Sequence, residues 1–321
     1  MSAWVRRLDA RIDTLLAPGE VGVSAAAVNR TQLDDAYRHA AATTRRFYPR
    51  VYYAGLLLPA HQRRDFFVVG GWLREVDVLS EDPSPVGRAL WAKLVRDTLA
   101  PVPPDDPLLI ALADVRKRRR IPRVWIEAQL EGIGDDHVAP DHRTLDDLID
   151  YCFDVLAPLG LLTSRLFGAS DRETLRYAAL FATAAQLTDM ICDIASDFEE
   201  GRVYLPKDEL RSHGVDPNAL AEHSTSTGWR TFMASLVDHN RALFDAAAPG
   251  IARLPRMASL ATATLGALNR ASLDDIEASG YDVFARRPRM RAGHFVKAIG
   301  AVVRTVGAVH APRPLDARSR L

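Results

Sequence analysis

Three aspartates, Asp189, Asp193 and Asp197, recur at every fourth position of QLTDMICDIASDFEEGRVYLP, residues 186–206. A helix of about 3.6 residues per turn and ~1.5 Å rise stacks them on one face, each about 6 Å from the next. Like charges four apart oppose helix formation by a few tenths of a kcal/mol per pair, so three in a row call for compensation. A solvated acidic face is the bland explanation and a bound cation the chemical one. Oxygen-only ligands in an open arrangement suit Mg²⁺, which keeps several waters and is completed by substrate phosphates rather than by a full protein cage. The positions on the other side, Leu187, Met190, Ile191 and Ile194, are apolar, so one side of the helix is expected to be buried. The run ends in Gly201 and Arg202, with Tyr204, Leu205 and Pro206 closing the segment. An arginine beside a cation-bound phosphate makes a coherent chemical set.

Asp77 and Glu81 are again four apart, in LREVDVLSEDP, and Arg74 lies one turn before Asp77. Alone, such a pair is common on exposed helices. Beside the triple aspartate it suggests two acidic helices facing one another across a bundle cavity, with Mg²⁺ ions between them and a diphosphate bridging the ions. The chemistry expected of that arrangement is ionisation of an allylic diphosphate, with an apolar cavity shielding the carbocation from water.

Those carboxylates need helices to hold them, and the chain reads as all-α from about residue 31 onward. Helical periodicity predicts helices over 31–47, 60–81, 84–99, 106–119, 122–133, 144–167, 171–199, 227–247, 254–279 and 290–306. Prolines fall between or at the edges of these segments, and Thr144 with Asp146 and Asp147 places acidic groups in a first turn, where the helix dipole favours them. Residues 1–30 read as an N-terminal arm or loose helix, with an amphipathic start over 4–16, and residues 312–321 as a flexible tail. The basic run Arg116 to Arg120 reads as a solvated helix end, and Asp135, Asp136 and His137 as a solvated loop.

Composition narrows the function. Forty-one Lys and Arg balance forty-one Asp and Glu among 321 residues, so no global field favours nucleic acid. Cys152 and Cys192 both sit in apolar helical patterns, which suggests a reducing compartment and no disulfide framework. No uncharged apolar stretch reaches about 18 residues, so no membrane span is expected, and a cytoplasmic location is. The nine histidines lack zinc-ligand spacing, and no G-x-G-x-x-G signals a nicotinamide cofactor. Tyr48 and Tyr204 suit a cavity lining or core packing equally well.

The segments TTRRFYPRVYYAGLLLP, REVDVLSEDP, DYCFDVLAPLG, QLTDMICDIASDFEEGRVYLP and ASLDDIEASGYDVFARRPRM together resemble the squalene and phytoene synthase family, over about residues 40–300. The resemblance implies a single-domain isoprenoid synthase helical bundle over 31–311, with a central cavity flanked by two acidic motifs, Mg²⁺ dependence and a prenyl diphosphate substrate. By position, Asp77 and Glu81 match the family's first DxxxD motif, with glutamate in the second place. Asp193 and Asp197 match the second motif, and Asp189 stands where the family usually has an asparagine that also faces metal. Arg45, Arg74 and Arg202 match arginines that contact diphosphate.

Several residues depart from the family pattern. Cys192 stands where an arginine usually precedes the metal aspartate, Val78 replaces an aspartate, and Gly70 replaces a frequent tyrosine, which is expected to open space. In Tyr151 to Gly160, Ala157 fills the place of a small glycine, Leu156 enlarges another site, and Asp154 brings a charge near the expected chain-binding cavity. Each change alone reads as drift. Together they point to loss of one diphosphate contact and of part of the tunnel, and so to transfer from a short donor such as dimethylallyl diphosphate to an aromatic, carbazole-type acceptor. Asp154 would then bind the acceptor or take the proton released on rearomatisation. The alternatives are head-to-head condensation of two farnesyl or geranylgeranyl diphosphates, and a non-catalytic helical relative acting as a binding partner.

Overall fold

The computed structural model describes residues 3–24, 27–48, 52–53, 55–56, 58–134 and 141–285, and among these residues there is no strand. The helices are α1 (Ala3–Leu15), α2 (Arg30–Phe47), α3 (Ala60–Ser80), α4 (Pro85–Thr98), α5 (Pro107–Arg119), α6 (Arg123–Gly134), α7 (Leu145–Leu166), α8 (Arg172–Glu199), α9 (Lys207–Ser212), α10 (Leu220–His223), α11 (Thr227–Ala247) and α12 (Arg256–Ala278). A 3₁₀ turn, Ala248–Arg253, joins the last two. The long elements begin and end within about two residues of the positions that periodicity predicts. The expected helix over 290–306, the tail from 312 and the loop residues Asp135, Asp136 and His137 lie outside the described residues. Helices α9 and α10, of 6 and 4 residues, are too short to leave a periodic signal.

Side-chain caps fix the helix starts. Asn29 with Gln32, and Thr144 with Asp147, form reciprocal capping boxes that satisfy otherwise orphaned amides. Asp106 and Asp171 accept from the backbone of Leu109 and Thr174 in the same way.

Helices α7 and α8 form the central pair. Gly160 permits their approach, since a Cβ there would sit 2.7 Å from Ala182 Cβ and 2.8 Å from the carbonyl of Ala178. Pro158 interrupts α7 and has no N–H to offer the Asp154 carbonyl one turn back. Helix α6 covers that gap. Gly132 lies against the Asp154 carbonyl, where a Cβ would come within 2.1 Å, and the buried Gln129 donates from Nε2 to the Val155 carbonyl at 2.8 Å. Helix α3 packs on the same side of the bundle, against α2, α5 and α7, while α11, the 3₁₀ turn and α12 pack on α8. Trp72, Trp125 and Trp229 are fully buried in the resulting core.

The amphipathic N-terminal segment docks as α1. Leu8, Ile12 and Leu15 are buried, and Leu15 accepts from Trp125 Nε1 at 2.7 Å. Its charged face pairs with α7 and α8: Arg7 with Asp146 and Asp150, Arg11 with Asp150 and Asp154, Asp9 with Arg176, and Asp13 with Arg172. The basic run after α5 also departs from its reading as a solvated end. Arg116 is buried and donates to the carbonyls of Thr98 and Val21 at 2.8 and 3.0 Å. Arg118 and Arg119 hold the buried Asp65 of α3 at 2.7 and 2.6 Å. Helix α8 is long and apolar enough by composition to cross a membrane, and its position at the centre of the bundle accounts for that.

Gly132→Ala offers a direct check on the α6–α7 contact. Alanine is the better helix former by about 1 kcal/mol, yet its methyl has to displace the Asp154 carbonyl. A net loss of about 2 kcal/mol is expected in denaturant unfolding.

Candidate active site

The first acidic set depends on the crossing of α2 and α3. Gly70 brings the two backbones close, and a Cβ there would meet both Cγ2 and Oγ1 of Thr44 at 3.0 Å. Thr44 is buried and donates from Oγ1 to the Phe67 carbonyl at 2.7 Å, which fixes the register. This corrects the expectation that Gly70 opens space, because the space it vacates is occupied by Thr44. The register delivers Tyr48, the residue that caps α2, onto α3, where its hydroxyl donates to Asp77 Oδ2. Arg74 lies beside Tyr48 and over the Phe47 ring at 4.7 Å. Burial raises the Asp77 carboxyl, donation from Tyr48 lowers it, the nearby Glu81 charge raises it and Arg74 lowers it, with a net upward shift. Tyr48, Arg74, Asp77 and Glu81 therefore form one cluster.

The second set lies on α8. Leu187, Ile191 and Ile194 are buried and Met190 is half-buried, as the apolar pattern requires. Solvent still reaches the Asp189 side chain, yet burial pushes its pKa up to about 6, with a further push from Asp193. The Asp189 charge also raises the Cys152 thiol on α7, which burial raises most. Burial also raises Asp193. Asp197 is raised by burial, against the opposing charge of Arg202.

The end of α8 is built to return Arg202 to Asp197. Gly201 adopts φ +78°, a left-handed conformation that glycine takes without strain. The amides of Gly201 and Arg202 then donate to the carbonyls of Phe198 and Asp197 at 3.0 and 2.7 Å, a Schellman turn. The reversal places the Arg202 guanidinium 3.5 Å from Asp197 Oδ1 and 2.5 Å from Glu200 Oε2. The late GYDVF segment braces the same end: Trp229 Nε1 donates to the Tyr281 carbonyl at 2.7 Å, and Phe284 meets Phe198 edge-on at 5.8 Å.

The donor types fit Mg²⁺. Asp189 and Asp193 form no salt bridge with any described residue, so among the described residues Asp197 alone of the three has an arginine beside it. Among the described residues no three His, Cys, Asp or Glu side chains gather closely enough to hold a metal alone. An ion here needs further oxygens, which a diphosphate and water supply.

Other expected site residues are placed differently. Asp154 faces α1, where Arg11 Nη2 donates to its Oδ1, and this pairing accounts for the charge without an acceptor or a proton to take. Ala157 is fully buried in the core. Arg45 lies over the Tyr52 ring at 5.8 Å and lines an open groove rather than pairing with a carboxylate. Tyr204 joins an aromatic group with Tyr151 and His142, at ring distances of 5.5 and 6.4 Å. Cys192 is half-buried, lies near Ser272 of α12, and is pushed up to about 12 chiefly by burial. The Arg11 to Asp154 pair was missed, although Arg7 and Arg11 share the four-residue spacing of Asp146, Asp150 and Asp154. The Tyr151 and His142 contacts have no comparable local signal.

The raised Asp189 carboxyl has a measurable consequence in metal-free protein. Folding raises Asp189 to about 6, so its ionised form opposes folding above that pH. The penalty fades as pH falls through the folded value and is gone below the ordinary carboxylate value of about 4. Asp189→Asn should therefore melt higher than the parent protein above neutral pH and with it near the acid end. A variant that melts lower at neutral pH would show that the enclosure has been misread.

Comparison with known proteins places this geometry. The family model described as Squalene/phytoene synthase matches residues 44–294. The chain is 29% identical to the chloroplastic phytoene synthase of Daucus carota over 252 residues, covering 75% of this chain and 63% of the relative. It thus spans less than two thirds of that protein. A dehydrosqualene synthase in complex with ligand superposes with a TM-score of 0.76 at 21% identity, over 87% of this chain and 99% of the other, which establishes the fold. Squalene synthase HpnC from Alicyclobacillus acidocaldarius superposes at 0.74 with 25% identity, over 79% and 97% of the two chains. The all-α bundle is the isoprenoid synthase helical fold, and the chain belongs to the squalene/phytoene synthase family.

Proposed function

We propose that this chain is a prenyltransferase that condenses two prenyl diphosphates head to head with release of diphosphate, as a phytoene- or squalene-type synthase. The observation that carries the reading is the duplication of one chemical set: carboxylates with an arginine beside them at Asp77, Glu81 and Arg74, and again at Asp189, Asp193, Asp197 and Arg202. Two anion-binding sets suit a reaction that takes two diphosphates, and the matched family and relatives carry phytoene and squalene synthase in their names.

In this reading Arg74 and Arg202 grip diphosphate oxygens, with Arg45 a further contact, and Asp77, Glu81, Asp189, Asp193 and Asp197 hold Mg²⁺. The bound ion would neutralise charge on the leaving diphosphate. Tyr48 holds the Asp77 carboxylate through its hydroxyl, which partly offsets the upward push of burial on its pKa. Upward shifts on Asp77, Asp189, Asp193 and Asp197 mean that each gains from a cation beside it.

The aromatic-acceptor reading loses two of its supports. Asp154 is held by Arg11 against α1, and the room expected at Gly70 is taken by Thr44. Cys192, Val78, Leu156 and Ala157 remain as departures, and each alone reads as drift.

The test incubates the protein with Mg²⁺ and farnesyl or geranylgeranyl diphosphate, with and without a hydroxylated carbazole, and reads product mass. A hydrocarbon with twice the donor's carbon count, formed without acceptor, is the expected outcome. Product that appears only with the carbazole and carries one prenyl unit would overturn it. Asp77→Asn and Asp193→Asn should each lower turnover by about 100-fold or more, the scale for losing a group that stabilises developing charge. Mg²⁺ with inorganic diphosphate should raise the melting temperature of the parent protein, and less so that of Asp193→Asn. A protein that releases no diphosphate from any donor would instead be a non-catalytic relative.

A further inference from the structure

The surface where α2 approaches the start of α3 has features that, Arg45 apart, the proposed reaction does not use. Two adjoining grooves of about 390 and 550 Å³ share Arg38 and Ala41. Arg63 and Arg64 line the first, and Arg45, Arg46 and Tyr52 line the second. Asp35 and Asp34 neutralise Arg38 and Arg64. Arg45, Arg46 and Arg63 form no salt bridge with any described residue, so among the described residues this face carries three positive charges without an ion-pair partner.

Apolar side chains stand out of the same face. Phe47, Tyr53 and Leu56 are 43%, 59% and 42% exposed. Singly exposed apolar residues need no explanation, but these three fall within ten positions and adjoin the arginines. The Arg46 guanidinium lies 5.0 Å over the Phe47 ring, Arg45 lies 5.8 Å over Tyr52, and Tyr53 meets Tyr52 edge-on at 5.6 Å. Tyr52 in turn stacks on the buried Phe67 at 4.7 Å, which anchors the patch to the core.

The geometry points to docking of this face on an anionic lipid surface, with Arg46 and Arg63 meeting phosphodiester headgroups while Phe47, Tyr53 and Leu56 enter the headgroup and acyl boundary. The protein has formal net charge zero, so its attraction to an anionic surface has to come from a local patch rather than from the whole molecule. The planar guanidinium fork matches phosphate oxygens, and amphipathic aromatic residues favour the boundary between water and acyl chains. An acidic protein partner would answer the arginines but has no use for three protruding apolar groups among them. Docking does not rest on the proposed reaction. If that reaction holds, the surface also brings a site that makes a hydrocarbon next to the phase that dissolves one.

The test is vesicle co-sedimentation of the full chain, with phosphatidylcholine alone and with phosphatidylcholine mixed with phosphatidylglycerol. Binding to the mixed vesicles only, weakened by added salt, is expected. Arg46→Gln with Arg63→Gln should weaken it by about fivefold per arginine, the effect of one basic group near an anionic surface. Tyr53→Ser with Leu56→Ser should weaken it as well, with melting temperatures little changed because Arg46, Tyr53 and Leu56 are exposed and Arg63 is only half-buried. The control pair Arg230→Gln with Arg256→Gln removes the same charge from exposed positions on α11 and α12 and should leave binding intact. No binding, equal binding to neutral vesicles, or equal loss in the control pair would overturn the proposal. So would displacement by inorganic diphosphate at constant ionic strength, which would assign the grooves to a soluble phosphate ligand.

Discussion

A row of carboxylates has to be held together against its own repulsion, and the contact between α7 and α8 provides the hold. Gly160 lets the two helices approach until Ala178 and Ala182 touch its backbone. The apolar side of α8 is then committed to the core, which leaves Asp189, Asp193 and Asp197 on the side that solvent reaches. Burial raises all three pKa values, and only at Asp197 does an arginine among the described residues oppose it. The bundle supplies the packing free energy that this arrangement spends, as local strain at functional sites generally requires.

Each acidic set has its arginine brought by a different device. At Asp197 the device is a chain reversal: a left-handed Gly201 turns the backbone so that Arg202 meets the helix it has just left. At Asp77 it is simple helical spacing, since Arg74 precedes Asp77 by one turn, with Tyr48 imported from α2 through the Gly70 and Thr44 contact. A glycine there sets interhelical distance rather than cavity volume. The same residue type serves α6 and α7 at Gly132, where it covers a carbonyl left free by Pro158.

Departures from a family pattern carry functional weight only when their side chains reach the site. Asp154 shows the hazard. In the sequence it is a new charge in a cavity segment. In the fold it belongs to a ladder of ion pairs that fastens α1, with Arg7 and Arg11 on one side and Asp146, Asp150 and Asp154 on the other. Exposed pairs of this kind add little individually to stability, so α1 is held mainly by Leu8, Ile12 and Leu15, with the charges setting its register.

The sequence by itself determined the all-α class, the bounds of the long helices, the two acidic spacings and the arginine that follows the second. All of these are local: hydrophobic period, caps and i,i+4 spacing are written within a few turns of chain. Tertiary structure alone decided which face each departure occupies, that Arg116 is buried within a run of charges, and that Tyr48 rather than a second carboxylate holds Asp77. Asp154 and Arg11 are 143 residues apart, and Thr44 and Gly70 belong to different helices. Contacts between such positions depend on how helices cross, which is fixed by the summed packing of the whole core and leaves no mark in a short window of sequence.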